Sequence, residues 1–242
     1  MKCVLGLALV VVCLTASDLY SGTLEVCPTG CAYSTIQDAV AAASNGDEIV
    51  VAPGTYTSTQ DGHVVNMPDQ AVTLRSSDPT NPSVVNSTII DGQNARRGLY
   101  CDSTTSTNTI IEGFTFVNGL GNSDGGGMLL DASITVRNCV FQNNSAGYAG
   151  GGLRISNCSA SIEQCEFRNN TAVWGGGMSI AGAEANPSVA DCRFVANQSQ
   201  EGGCGGAVSA WLCNAVFDRC IFEDNLSNCG AAIFMATQGD AY

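Results

Sequence analysis

From residue 110 onward the chain repeats one pattern of apolar and variable positions. Five segments align: Phe114-Thr-Phe116-Val-Asn118, Cys139-Val-Phe141-Gln-Asn-Asn144, Cys165-Glu-Phe167-Arg-Asn-Asn170, Cys192-Arg-Phe194-Val-Ala-Asn197 and Cys220-Ile-Phe222-Glu-Asp-Asn225. The phenylalanines at 116, 141, 167, 194 and 222 are 25, 26, 27 and 28 residues apart. About ten residues after each comes a glycine cluster ending in an apolar residue, from Gly125-Gly-Gly-Met128 through Gly150-Gly-Gly-Leu153 and Gly175-Gly-Gly-Met178 to Gly205-Gly-Ala-Val208 and Gly230-Ala-Ala-Ile233. Two registers repeating together identify a repeat architecture.

Within each repeat an apolar residue stands three positions before the Cys (Ile111, Val136, Ile162, Val189, Phe217), at the Cys and at the Phe. This is strand alternation broken by a bend, and no stretch carries the 3.6-residue period of a helix. Leucine-rich repeats have this length but need a Leu ladder and a helical half, and propeller blades need about 40–50 residues. The unit is therefore a coil of short strands with glycine-rich corners. Stacked at ~4.8 Å, such coils make an all-β parallel β-helix. Ahead of the repeats, Ser34 and Gln37 form a capping-box pair, and Ile36, Ala39, Val40 and Ala43 share one helical face, with Asn45-Gly46 as the stop. This short N-terminal helix is expected to cover the first coil. Strands are expected at Glu48–Ala52, Val64–Met67, Ala71–Arg75 and Thr88–Ile90, separated by Pro53-Gly54, Pro68-Asp69, the Pro79–Pro82 stretch and Asp91-Gly92.

Ser34-Thr-Ile-Gln-Asp-Ala-Val followed by Gly46-Asp-Glu-Ile-Val-Val-Ala-Pro-Gly-Thr-Tyr56 resembles the opening of the pectate-lyase-like right-handed β-helix superfamily. Ile89-Ile-Asp-Gly92 and Ile110-Ile-Glu-Gly-Phe-Thr-Phe116 resemble its next turns. The later glycine-cluster and Phe-x-x-Asn repeats are similar to those of the chlamydial polymorphic outer-membrane proteins. The resemblance spans residues 31–242 and implies the β-helix. It leaves activity open, because that superfamily hosts lyases, hydrolases, epimerases, adhesins and phage spikes. The second family continues into a C-terminal β-barrel, which is not found here. The last coil, Ala231–Tyr242, ends without a capping element, so the sequence reads as a fragment or as a solenoid end covered by another molecule, with end-to-end self-association expected if it is left open.

Composition narrows the function classes. Lys+Arg is 9 against Asp+Glu 22, a net charge of −13, and Lys2 is the one lysine. That excludes a basic footprint for nucleic acid. With His63 as the single histidine, chemistry built on His pairs, Lys bases or Walker-type loops is excluded too. Lys2, the apolar Val4–Leu14 run and Thr15-Ala16-Ser17 read as a secretory signal over residues 1–17. No later apolar run is long enough to span a bilayer. Residues 18–242 are expected to be one exported β-helix domain, with irregular first coils over 31–100 and regular repeats over 101–242.

Export makes the cysteines readable. Cys27 with Cys31, and Cys204 with Cys229 just before adjacent glycine clusters, are the disulfide candidates. The Cys139, Cys165, Cys192 and Cys220 row lies within disulfide reach coil to coil, yet buried thiols are the simpler expectation. Asn144, Asn170, Asn197 and Asn225 are expected to form a ladder, each amide bonding the next coil at a tight left-handed turn. Sequons at Asn86 and Asn157 are the glycosylation candidates among several that the repeat itself writes.

No set of residues matches the aspartate clusters of polygalacturonase-like or pectin methylesterase-like enzymes. The nearest acidic set is Glu163, Glu166, Asp191 and Arg193, the weak candidates for a calcium-dependent lyase. Read down the stack, Glu112, Arg137 and Glu163 alternate in sign and Glu166 abuts Arg193, an arrangement that cross-strand ion pairs explain. Convergence of three or more of Glu163, Glu166, Asp191, Arg193 and Asp218 in one groove would favour the lyase. Tyr148, Trp174 and Trp211 sit near the glycine corners and are the candidates for an aromatic platform for sugar rings, although singly exposed aromatics are normal on any surface. The expectation is a secreted or cell-surface β-helix with a structural, adhesive or glycan-contacting role, no cofactor, a glycan or cell-surface partner and no recognisable catalytic centre. The alternative is a polysaccharide lyase or epimerase acting on acidic glycans, with calcium.

Overall fold

The computed structural model describes residues 21–60, 62–183 and 185–236. The 1–17 segment and the last residues of the final coil lie outside them. The chain winds into an all-β right-handed parallel solenoid of about 8 turns, 6% helical. All strand pairs are parallel, in four sheets of eight, four, seven and seven strands.

One coil illustrates the rest. Thr135–Arg137 lies on the first sheet, Val140–Gln142 on the second, Ser145–Ala146 on the third and Leu153–Ser156 on the fourth. Each strand pairs one repeat up and down, so Phe141 is level with Phe116 and Phe167. Alternation then drives the same side chain inward in every coil. The phenylalanine rings stack face to face at 4.9, 4.7, 4.8 and 5.0 Å from Phe116 to Phe222. Strand spacing fixes that distance, and the four rings from Phe116 to Phe194 are fully buried.

The corners are built from left-handed residues. Gly113, Asn138, Gln164, Asp191 and Arg219 turn the chain between the first and second sheets, and Asn118, Asn143, Asn169, Ala196 and Asp224 turn it after the second. The ladder asparagines are thus not the left-handed residues; each follows one. The reason is a division of labour at the corner: the exposed residue takes the positive φ, while the next amide points inward. Asn170 Nδ2 donates to Phe141 O (2.9 Å) and to Asn197 Oδ1 (2.9 Å), while its Oδ1 accepts from Asn144 N and Asn144 Nδ2 (both 3.0 Å). Asn118 belongs to the turn row, and Gly119 takes the ladder position, donating its N–H to Asn144 Oδ1 at 2.8 Å. The glycine corners are needed for space: a Cβ on Gly152 would lie 2.6 Å from Gly177 O.

The opening differs from the expectation in detail. Helix α1 spans Ile36–Ala42 and Thr35, not Ser34, caps it by accepting from Asp38 N. Gln37 reaches across to Asn66 N instead, at 2.7 Å, so no capping box forms with Ser34. Ile36, Ala39 and Val40 are buried against the first coil. The strands lie at Glu48–Val51, His63–Asn66, Thr73–Ser76 and Thr88–Asp91, ends set by pairing with neighbours rather than by local composition. Thr23–Val26 adds a strand ahead of the helix, paired with Glu48–Val51. Helix α2, Pro82–Ser87, stands where the Pro-rich stretch read as a separator: Pro82 opens it at a position where its missing N–H costs no helical bond, and Asn81 caps it by accepting from Ser83 N.

Candidate functional site

Clefts beside the opening helix hold none of the candidate residues, whereas two on the wall of the regular coils do. The larger, about 610 Å³, runs along the corner between the first and second sheets, with α2 as one wall and Glu166, Arg168, Asp191 and Arg193 on the other. Three of the five residues singled out for a lyase therefore share a groove; Glu163 and Asp218 do not line it. The charged groups there are matched in opposite pairs. Glu166 lies 3.3 Å from Arg168 and 3.6 Å from Arg193, whose other nitrogen pairs with Glu223. Asp191 accepts from Arg219 at 2.6 and 2.8 Å, and that guanidinium holds its carboxyl below the usual range. Glu163 accepts from Ser161 Oγ at 2.8 Å, and Glu112, two coils earlier in the same row, pairs with Arg137. Among the described residues no cluster of three His, Cys, Asp or Glu side chains is arranged to hold a metal ion.

The smaller cleft, about 180 Å³, lies on the outer face of the fourth sheet between Tyr148, Trp174 and Trp211, with Arg154 and Ser179 at its floor. Its shape follows from register. Leu129, Arg154, Ser179 and Ser209 occupy one outward row, and the two serines leave room above the sheet. Trp211 stands two residues beyond Ser209 and donates its indole N–H to that hydroxyl at 2.9 Å. Trp174 comes from the preceding corner and meets Trp211 edge to face at 5.2 Å and 86°. Phe234 closes the back, 5.9 and 5.5 Å from the two indoles. Tyr148 is exposed. Cys204 and Cys229, in adjacent coils with Cα atoms 4.7 Å apart, are bonded beside this cluster, and Cys27 is bonded to Cys31 at the opening coil.

Arg154 is the residue that sequence reading missed. Its Nη1 donates to Ser179 Oγ at 2.6 Å, while Nε is buried with no hydrogen-bond partner among the described residues. Five of the chain's arginines, at 75, 137, 168, 193 and 219, have a carboxylate within 4 Å; Arg154 has none among the described residues. Burial pulls its pKa down, with Asp124 and Asp131 acting the other way through space. Lower on the same face Arg97 lies over the Tyr100 ring at 5.6 Å, and Tyr100 donates to Asp131 at 3.0 Å. The cleft thus joins flat apolar faces to a guanidinium with open donor capacity. Of the sequons, Asn86 is exposed on α2 beside the larger cleft and Asn157 is exposed at a left-handed turn.

Residues 70–241 match the family described as the right-handed beta helix region. The chain belongs to this family. Among curated proteins none matches it significantly. A similar solved structure is the pectin methylesterase from Aspergillus niger, 14% identical, covering 91% of this chain and 87% of that one with a TM-score of 0.41. Among the described residues of this β-helix no helix is long and apolar enough to cross a membrane.

Proposed function

We propose that the protein is a secreted or cell-surface β-helix that contacts glycans through the Tyr148, Trp174 and Trp211 cleft, in a structural or adhesive role. The observation that carries this reading is the placement of Arg154: a guanidinium with no carboxylate within 4 Å among the described residues, lining one cleft with two indoles and a phenol. Sugar rings offer C–H faces to aromatic rings and oxygens to a donor, so one cleft serves both. Binding to an oligosaccharide panel tests it. Trp174→Ala and Arg154→Ala should each lower affinity for any glycan retained by the wild type by about tenfold or more, the cost of one buried contact. Equal binding by wild type and both variants would refute the assignment of this cleft.

A second reading is a calcium-dependent lyase or epimerase on acidic glycans in the larger cleft, favoured by Glu166, Asp191 and Arg193 sharing that groove. The ion pairs of Glu166 with Arg168 and Arg193, and of Asp191 with Arg219, weigh against it, since a catalytic base and a cation site need groups not already neutralised. Calcium-dependent release of unsaturated products from polygalacturonate or alginate, lost in Arg193→Ala, would establish it in place of the first.

A further inference from the structure

Cys139, Cys165, Cys192 and Cys220 are unbonded, and neither cleft reading uses their chemistry. They stack in one row. The residues two before them, Arg137, Glu163, Ala190 and Asp218, are paired coil to coil, and so are those one after, Val140, Glu166, Arg193 and Ile221. The cysteines between are therefore spaced by one strand separation, ~4.8 Å, inside the Cα range of a disulfide. Their side chains also repeat: each Sγ faces the carbonyl two residues earlier, at 3.2, 3.2, 3.2 and 3.4 Å. Four sulfurs thus follow one another in the same orientation. The chain already joins adjacent coils this way at Cys204 and Cys229, whose Cα atoms are 4.7 Å apart. Cys139 and Cys165 border the larger cleft but are only 1% and 2% exposed, so a reagent meets them on local opening of that corner.

We propose that this row is a site of reversible oxidation, in which low-molecular-weight disulfides convert four thiols into Cys139–Cys165 and Cys192–Cys220 cross-links that fasten neighbouring coils. A Cys165 thiolate attacks one sulfur of R–S–S–R, forming the mixed disulfide and releasing R–S⁻. The Cys139 thiolate then attacks the Cys165 sulfur and expels the second R–S⁻. Both cysteine protons end on the leaving thiolates, so two cysteines are oxidised and one disulfide is reduced to two thiols. Exchange in the second pair follows the same balance. Burial holds the Cys165 thiol well above its ordinary pKa, so the reaction is slow in the folded chain.

The test uses the purified full-length chain, first reduced and then equilibrated with oxidised glutathione. After acid quench, alkylation in denaturant and peptide mapping, the expected products are the Cys139–Cys165 and Cys192–Cys220 cross-linked peptides, with Cys101, Cys158 and Cys213 alkylated. The oxidised form should melt roughly 5–10 °C higher. A Cys139→Ala variant, near-isosteric in the row, should keep the Cys192–Cys220 link and leave Cys165 alkylated or glutathionylated. All four row cysteines alkylated in the wild type while Cys204–Cys229 has formed, stable glutathione adducts at the row, or a Cys165–Cys192 link would each overturn the proposal.

Discussion

Arg154 and Ser179 meet at 2.6 Å across adjacent coils, and this bond anchors in an aromatic cleft a guanidinium that has no carboxylate within 4 Å among the described residues. In a chain of net charge −13 most arginines are held by carboxylates. Replacing Ser179 with Asp would supply the missing counter-ion. Glycan affinity should then fall while the melting temperature holds or rises, as a titration alongside thermal unfolding would record.

The asparagine ladder should be worth far more than its turns. Asn170 makes four hydrogen bonds in a buried site, so Asn170→Ala should cost about 2–4 kcal/mol by stranding buried partners. Asn169→Gly, at a positive φ of 55°, should be neutral or stabilising. Denaturant unfolding of both variants checks the contrast.

Phe167 lies between Phe141 and Phe194 at 4.7 and 4.8 Å, fully buried. Phe167→Ala should cost about 3–5 kcal/mol, because a rigid stack of coils cannot collapse into the cavity. Chemical denaturation measures it.

At the opening helix, Thr35→Ala should cost about 1 kcal/mol and Ser34→Ala almost nothing, since Thr35 supplies the cap. Thermal melts of the two distinguish them.

Asp191 carries a pKa depressed by the hydrogen bonds from Arg219. A depressed folded pKa means stability that is complete above the unfolded value and is lost as pH falls through the folded one. Melting temperature should therefore drop on acidification below about pH 4, the ordinary carboxylate range, and Asp191→Asn should flatten that part of the profile. High salt should shrink the difference, because the pair is exposed.

The coil, its register and the stacked Phe and Asn rows were legible because each is written four or five times, and repetition separates an inward position from chance. What occurs once was not. Thr35 and Ser34 are equally good caps on paper, and only the bond from Asp38 N decides between them. Helix α2 hid in a Pro-rich stretch that reads equally as a turn. Arg154 shares its row with Leu129, Ser179 and Ser209, so no pattern marks it. Its role arises from two serines above it and two indoles beside it, which come together only when the coils stack. The acidic set showed the converse: Glu166 and Arg193 were read as a cross-strand pair, and they are one, although they also face the larger cleft with Asp191.

The two tryptophans of the chain, Trp174 and Trp211, both border the aromatic cleft, so intrinsic tryptophan emission reports on that place alone. Titrating the protein with oligosaccharides while recording this emission tests the glycan assignment most directly. A saturable change in intensity or wavelength with at least one glycan class, abolished in Arg154→Ala, is the predicted result. Emission unchanged by glycans that demonstrably bind the protein would place the contact elsewhere and contradict it.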